Sequence, residues 1–163
     1  MGFHTSVPMT KRVFDASLAF ILIVALGIPM LMIALIVRLT SPGPVLYWSN
    51  RVGKNNSIFS MPKYRTMKVE TPAVTTHLLA SPEQYVTRIG RVLRRFSLDE
   101  LPQLFNVLMG HMSLVGPRPA PPSEVQRYQP WHKRRLEVAP GMSGLWQVSG
   151  RSELSCDKLV RLD

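Results

Sequence analysis

Cysteine occurs once in the 163 residues, as Cys156. A single thiol excludes an internal disulfide framework and fits a reducing compartment. Acidic side chains are also scarce: 10 Asp and Glu stand against 20 Lys and Arg, leaving a net charge of +10. The four histidines, His4, His77, His111 and His132, have no metal-ligand spacing with one another or with Cys156, so a zinc centre is not indicated. The sequence lacks a glycine-rich dinucleotide loop, a nucleotide-hydrolase phosphate loop, a paired-histidine metalloprotease motif and a serine nucleophile elbow. Metal fingers and the aromatic RNA-binding signature are missing too, which removes the usual base-reading modules. There are no internal repeats. The excess of cations favours a polyanionic partner: nucleic acid, an acidic membrane surface or phosphorylated substrates.

Charge is absent from Ala16 to Val37. As a helix, these roughly 22 residues would extend about 33 Å, enough to cross a bilayer core. A cleaved signal peptide would have a shorter apolar region, and a buried soluble helix of this length would keep a polar face. Lys11 and Arg12 precede the segment; Arg38, Arg51, Lys54, Lys63 and Arg65 follow it. Positive charge prefers the cytoplasmic side, so both ends ask for the same side. A straight span satisfies one end; a helix that enters, bends and returns satisfies both. Pro29 supplies a bend, because it has no N–H and clashes with the carbonyl of Ala25. The pattern by itself leaves an ordinary kinked span equally open. Asp15, one turn inside Lys11 and Arg12, is expected to pair with one of them at the interface.

After the rigid turn Thr40–Pro44, Val45–Trp48 reads as a strand, Arg51–Asn56 as a turn and Ile58–Met61 as the return strand. Tyr47 and Trp48 are either interface anchors or core. Residues 70–84 read as a loop. From about Gln84 to Phe96 the spacing predicts a basic amphipathic helix, apolar at Val86, Ile89, Val92, Leu93 and Phe96 and cationic at Arg88, Arg91, Arg94 and Arg95. Ser97 and Glu100 have the spacing of a capping box, and Gly110 is the expected stop. Gly116–Pro122 should be rigid and extended, Glu124–Leu136 helical, Pro140–Arg151 a turn, a short apolar run and another turn.

Asp99 and Glu100 are the most telling pair. Two adjacent carboxylates at a helix start follow Arg91, Arg94 and Arg95, and both the helix end and the arginines favour ionisation. An ionised aspartate can attack phosphorus, and adjacent carboxylates suit Mg²⁺ held jointly with substrate phosphates. Plain capping and surface ion pairing is the competing reading. Arg118, between two prolines, presents five donors on a fixed backbone, and Arg94 is near enough in sequence to reach the same place; each could equally be a solvated cation. Trp146 and Gln147 could contact a base or sugar, or Trp146 could simply pack.

In order along the chain stand Lys11-Arg12-Val13-Phe14-Asp15, Ser41-Pro42-Gly43-Pro44-Val45, Arg51-Val52-Gly53 and Lys63-Tyr64-Arg65-Thr66-Met67. Ser97-Leu98-Asp99-Glu100-Leu101-Pro102-Gln103-Leu104, Gly116-Pro117-Arg118-Pro119, and Pro140-Gly141 with Gly144-Leu145-Trp146-Gln147-Val148-Ser149-Gly150-Arg151 complete the set. This series resembles the bacterial sugar transferases, the monotopic polyprenyl-phosphate phosphoglycosyl transferases. The resemblance implies an α+β fold, mostly helical, with a short β-hairpin and amphipathic interfacial helices. It divides the chain into a cytoplasmic segment 1–12, a re-entrant membrane helix hairpin 13–40 broken at Pro29, and a cytoplasmic catalytic domain 41–163. Ile28 stands where some members have a serine before the proline. The implied reaction moves a sugar 1-phosphate from a UDP-sugar to polyprenyl phosphate and releases UMP, the first membrane step of glycoconjugate synthesis. The implied roles are Asp99 as nucleophile, Glu100 as its partner, both as ligands of Mg²⁺, and Arg94, Arg118, Lys63, Arg65 and Arg151 as substrate- or phosphate-binding residues. The implied location is the bacterial inner membrane, without nucleic acid; a second copy or downstream glycosyltransferases are candidate partners. Members continue well beyond Arg151, so the resemblance implies a truncated C-terminus. The alternative is a membrane-anchored basic binding or assembly protein without catalysis.

Overall fold

The computed structural model describes residues 8–72 and 82–145 and shows a mixed helix and strand architecture. Contacts divide the chain into two compact units. One comprises Met1–Val24, Ser49–Met61 and Gln103–Asp163; the other comprises Ala25–Trp48 and Pro62–Pro102. Neither unit is a contiguous stretch of sequence.

Helix α1 (Met9–Thr40) contributes to both units and runs through Pro29 as one helix of 32 residues. In the first unit its initial turns are tied down by polar bonds. Arg12 donates to the carbonyls of Val107 and Leu108 at 2.6 and 2.7 Å. Asp15 is buried and accepts from Lys11 Nζ at 2.9 Å and Ser113 Oγ at 2.7 Å, so the expected pairing falls to Lys11. Ala19 then enters an apolar core with Phe59, Met61, Leu104, Val107 and Met112. In the second unit, Val37 packs with Tyr64 and Leu93, and the Tyr64 hydroxyl donates to the Met30 carbonyl at 2.8 Å. The inward positions recur every three to four residues, the helical period. The opposite face leaves Phe20, Val24, Ile28, Leu31 and Leu39 exposed. So large an open apolar face belongs against lipid or protein rather than water, and a helix this long and apolar fits a membrane anchor.

Strands β1 (Leu46–Val52) and β2 (Ile58–Tyr64) form a two-stranded sheet. Gly53 N donates to Ser57 O at 2.7 Å across the turn, and a connection this short requires an antiparallel pair. Tyr47 and Trp48 are mostly exposed, which removes the core-packing alternative for both. Helix α2 (Arg88–Arg95) is shorter than its periodicity predicts. Val86 pairs with Met67 in an isolated bridge, and Thr87 caps the helix one residue later, its hydroxyl accepting from Gly90 N at 2.9 Å. Of the expected apolar face, Leu93 is buried and Ile89 packs against the core, whereas Val92 and Phe96 are open. Arg95 lies over the Phe96 ring.

In the first unit, α3 (Leu104–Met109) stops at Gly110, φ 90°, as expected. Strand β3 (Ser113–Val115) runs parallel to β4 (Gly141–Ser143), Ser113 opposite Gly141. Between them the predicted helix over 124–136 breaks in two: α4 (Pro122–Val125) and a 3-10 turn at His132–Glu137. Pro130 is the reason, since it cannot donate within a helix.

Candidate active site

The expected reactive residues lie in the second unit, and three short segments bring them together. Strand β2 ends at Tyr64, and its alternation buries Tyr64 while leaving Lys63 partly open. Thr66 follows and receives α2: its carbonyl accepts from Thr87 N at 3.0 Å. Gly90 makes that approach possible, because a Cβ there would sit 2.1 Å from the Thr66 oxygen. Thus seated, α2 delivers Arg94, whose Nε donates to Thr66 Oγ1 at 2.8 Å.

The acid pair then follows in a 3-10 helix, Leu98–Gln103, with Pro102 inside it. The capping box predicted from spacing does not form. Ser97 is left-handed, φ 56°, whereas an N-cap is extended, and its carbonyl accepts from Glu100 N at 3.2 Å in an i to i+3 bond. The Glu100 side chain turns instead to Lys63, with Oε1 2.6 Å from Nζ and both side chains about one quarter exposed. Asp99 is 9% exposed and makes no ion pair among the described residues.

The helix end and the neighbouring arginines predict a lowered Asp99 pKa; in the structure the shift is upward. Burial holds its carboxyl above the usual aspartate range. Lys63 and Arg94 pull the other way, and Glu100 adds to the upward shift. A 3-10 helix of 6 residues offers little macrodipole to offset desolvation. Asp99 is therefore a buried carboxylate whose charge is costly until a cation or a developing bond relieves it. Glu100 is by contrast already neutralised.

The other expected site residues separate. Arg65 follows Lys63 closely in sequence but is buried, and its Nη2 donates to the Ser41 carbonyl at 2.7 Å beneath the turn after α1. Its strongest charged neighbour is Arg38, which with burial holds its pKa down. In this structure Arg65 thus supports the 41–44 turn and is not among the charges acting on Asp99. Arg118 lies in the first unit, and Arg151, Trp146, Gln147 and Cys156 fall outside the described residues. Thr66 was missed as a site residue, although the Lys63–Met67 motif flagged its neighbourhood. Among the described residues no three His, Cys, Asp or Glu side chains cluster. The donor set that fits a metal is the doublet, buried Asp99 and Lys63-paired Glu100; one or two carboxylates are what Mg²⁺ takes from a protein.

Comparison with known proteins identifies the family. The bacterial sugar transferase family matches residues 6–163. The undecaprenyl-phosphate galactose phosphotransferase of Salmonella typhimurium (strain LT2) is 41% identical over 169 residues, covering 94% of this chain and 35% of that protein. The undecaprenyl-phosphate glucose phosphotransferase of Komagataeibacter xylinus is 42% identical over 154 residues, covering 90% and 29%. The exopolysaccharide production protein ExoY of Sinorhizobium fredii (strain NBRC 101917 / NGR234) is 36% identical over 170 residues, covering 95% and 75%. The chain thus spans about a third of the first two relatives and three quarters of the third. A match along nearly all of its length makes this chain a member of the bacterial sugar transferase family.

Proposed function

We propose that the protein transfers a sugar 1-phosphate from a UDP-sugar to polyprenyl phosphate. The observation that carries this reading is the buried, raised-pKa Asp99 beside the Lys63–Glu100 pair and Arg94. The names of the relatives support undecaprenyl phosphate as acceptor and a hexose as cargo.

In the first half-reaction an Asp99 carboxylate oxygen attacks the β-phosphorus. The bond from that phosphorus to the bridging oxygen breaks, and UMP departs with the electron pair. An aspartyl-phosphosugar remains. In the second, an oxygen of polyprenyl phosphate attacks the same phosphorus, the acyl phosphate bond breaks, and the Asp99 carboxylate returns. Separating the two steps lets one site serve two acceptors in turn. Lys63 and Arg94 bring positive charge to a centre where two anions must meet. Glu100, released when Lys63 turns to the substrate phosphates, would accept a proton from the acceptor phosphate. Mg²⁺ held by Asp99 and Glu100 would supply charge neutralisation of the diphosphate.

The apolar helix α1 is the anchor. In this reading it is re-entrant, both ends on the cytoplasmic side of the bacterial inner membrane. A bend at Pro29 leaves the helical bonds on either side in place, so helical continuity and return are compatible. The site would then meet a polyprenyl phosphate at headgroup level. UMP release from UDP-sugars with Mg²⁺ tests the reaction; release unchanged by Asp99→Asn would refute the assignment. Impermeant labelling of Thr5→Cys and Val45→Cys tests the topology, and opposite-side labelling would refute the hairpin.

A further inference from the structure

Arg118 sits in an unusually restrained piece of backbone, and the restraint comes from arginines to which no role has been given. Pro117 and Pro119 fix their own φ angles, and a residue before proline is confined to extended conformations. Four successive carbonyls are then taken by donors from three separate segments. Gly141 N donates to Pro117 O at 2.8 Å. Arg135 Nη2 donates to Arg118 O at 3.0 Å. Arg51 Nη1 reaches Pro119 O at 3.3 Å. Val52 N donates to Ala120 O at 2.9 Å. The Arg51-Val52-Gly53 and Gly116-Pro117-Arg118-Pro119 motifs, far apart in sequence, are thus one structural piece.

Arg135 is itself held. It is 9% exposed, and its Nη1 donates to the Tyr128 hydroxyl at 2.8 Å. That hydroxyl donates on to Glu124 Oε1 at 2.9 Å, and the Arg135 guanidinium also lies over the Tyr128 ring. The guanidinium reaches the hydroxyl and the carbonyl from two separate nitrogens held in one rigid plane; a lysine would offer its donors from a single point on a flexible stem. A side chain that must present its donors to a bound anion gains affinity, because the ordering is done before the ligand arrives.

We propose that Arg135 is a positioning residue for Arg118, with Arg51 as its auxiliary, setting the Arg118 guanidinium for a phosphate group. The proposal rests on the reading of Arg118 as a phosphate-binding residue. Glu124, Tyr128 and Arg135 form the brace, and Arg118 is the contact.

The test is equilibrium binding of UDP, with uridine as the phosphate-free control, to the whole chain in detergent. The proteins compared are wild type, Arg118→Ala, Arg135→Lys, their double variant and Tyr128→Phe, each with a melting curve. Arg118→Ala should weaken UDP about tenfold to a hundredfold, the range of lost charge-assisted bonds. Arg135→Lys should weaken UDP about tenfold, with uridine unaffected. The double variant should bind UDP no worse than Arg118→Ala, since the two residues act as one. Tyr128→Phe, which keeps the ring against Arg135, should shift UDP in the same direction by less and provides the reading if Arg135→Lys melts. Effects of Arg118→Ala and Arg135→Lys that multiply, or equal loss of UDP and uridine, would reduce Arg135 to a structural role and overturn the proposal. Unaltered UDP binding in Arg118→Ala would instead overturn the reading of Arg118 on which it rests.

Discussion

The Asp99–Glu100 doublet of the second unit and the Pro117–Ala120 segment of the first use positive charge in opposite ways. Around the acid doublet, cations face side chains: Lys63 meets Glu100 and Arg94 meets the Thr66 hydroxyl. Around Arg118, cations face backbone: Arg135 and Arg51 clasp two successive carbonyls. One arrangement leaves a carboxylate under electrostatic tension; the other leaves a loop without freedom. The lesson is that an arginine in a motif has two physical uses, binding an anion or fixing a chain, and sequence position does not distinguish them. Arg65 shows this within the second unit, where it holds Ser41 O instead of joining the doublet.

The sharpest way to break this contrast is to remove chemistry from one side and affinity from the other. Asp99→Asn should lower UMP release by at least about a thousandfold, the scale of a lost nucleophile, while UDP binding in metal-free buffer stays within about twofold. Arg118→Ala should do the reverse, with weaker UDP binding and a surviving slow turnover. If Asp99→Asn lost UDP binding and turnover equally, the two segments would not divide the work as described.

Each unit also has its own core, so the contrast extends to stability. Leu93, 2% exposed, anchors the second unit, and Met112, 2% exposed, the first. Truncating either to alanine should cost about 2–5 kcal/mol, read from denaturant unfolding. Two resolved transitions, only one moving per variant, would sharpen the division into units; a single shared transition would blur it.

A smaller effect concerns pH. The folded pKa of Asp99 lies above its ordinary value, so its favourable contribution is complete below the unfolded pKa of about 3.9 and is lost as pH rises through the folded value. In metal-free buffer, Asp99→Asn should therefore melt above wild type near neutral pH, and the difference should vanish near pH 3.5. A neutral-pH melting point below wild type would mean that the carboxylate is satisfied rather than strained. The smallest effect is Tyr64→Phe, which loses one bond to the Met30 carbonyl and should cost about 1 kcal/mol.

Much of this was legible before any coordinates. The apolar helix, the strand pair after it, the stop at Gly110 and a basic partner for Asp15 follow from period, punctuation and charge, all local signals; the choice of Lys11 over Arg12 came from the structure. The doublet stood out because acids are rare here. What escaped was decided by long-range packing. Periodicity put Val92 and Phe96 on the buried side of α2, but Thr66 and Gly90 turn that helix so that only Ile89 and Leu93 face the core. The capping-box spacing of Ser97 and Glu100 was outweighed by Lys63, 37 residues away. The helical pattern over 124–136 hid Pro130. Nothing in the run Lys133-Arg134-Arg135 marks its last member as the one that turns inward.

The most direct test of the account is the intact mass of the full-length protein after incubation with a UDP-sugar that supports UMP release, with no polyprenyl phosphate present. A mass gain of one phosphosugar, mapped to the peptide containing Asp99, absent in Asp99→Asn and discharged on adding polyprenyl phosphate, is the expected result. Stoichiometric UMP release with no protein-bound phosphosugar at any time would contradict it and point to direct transfer between the two substrates.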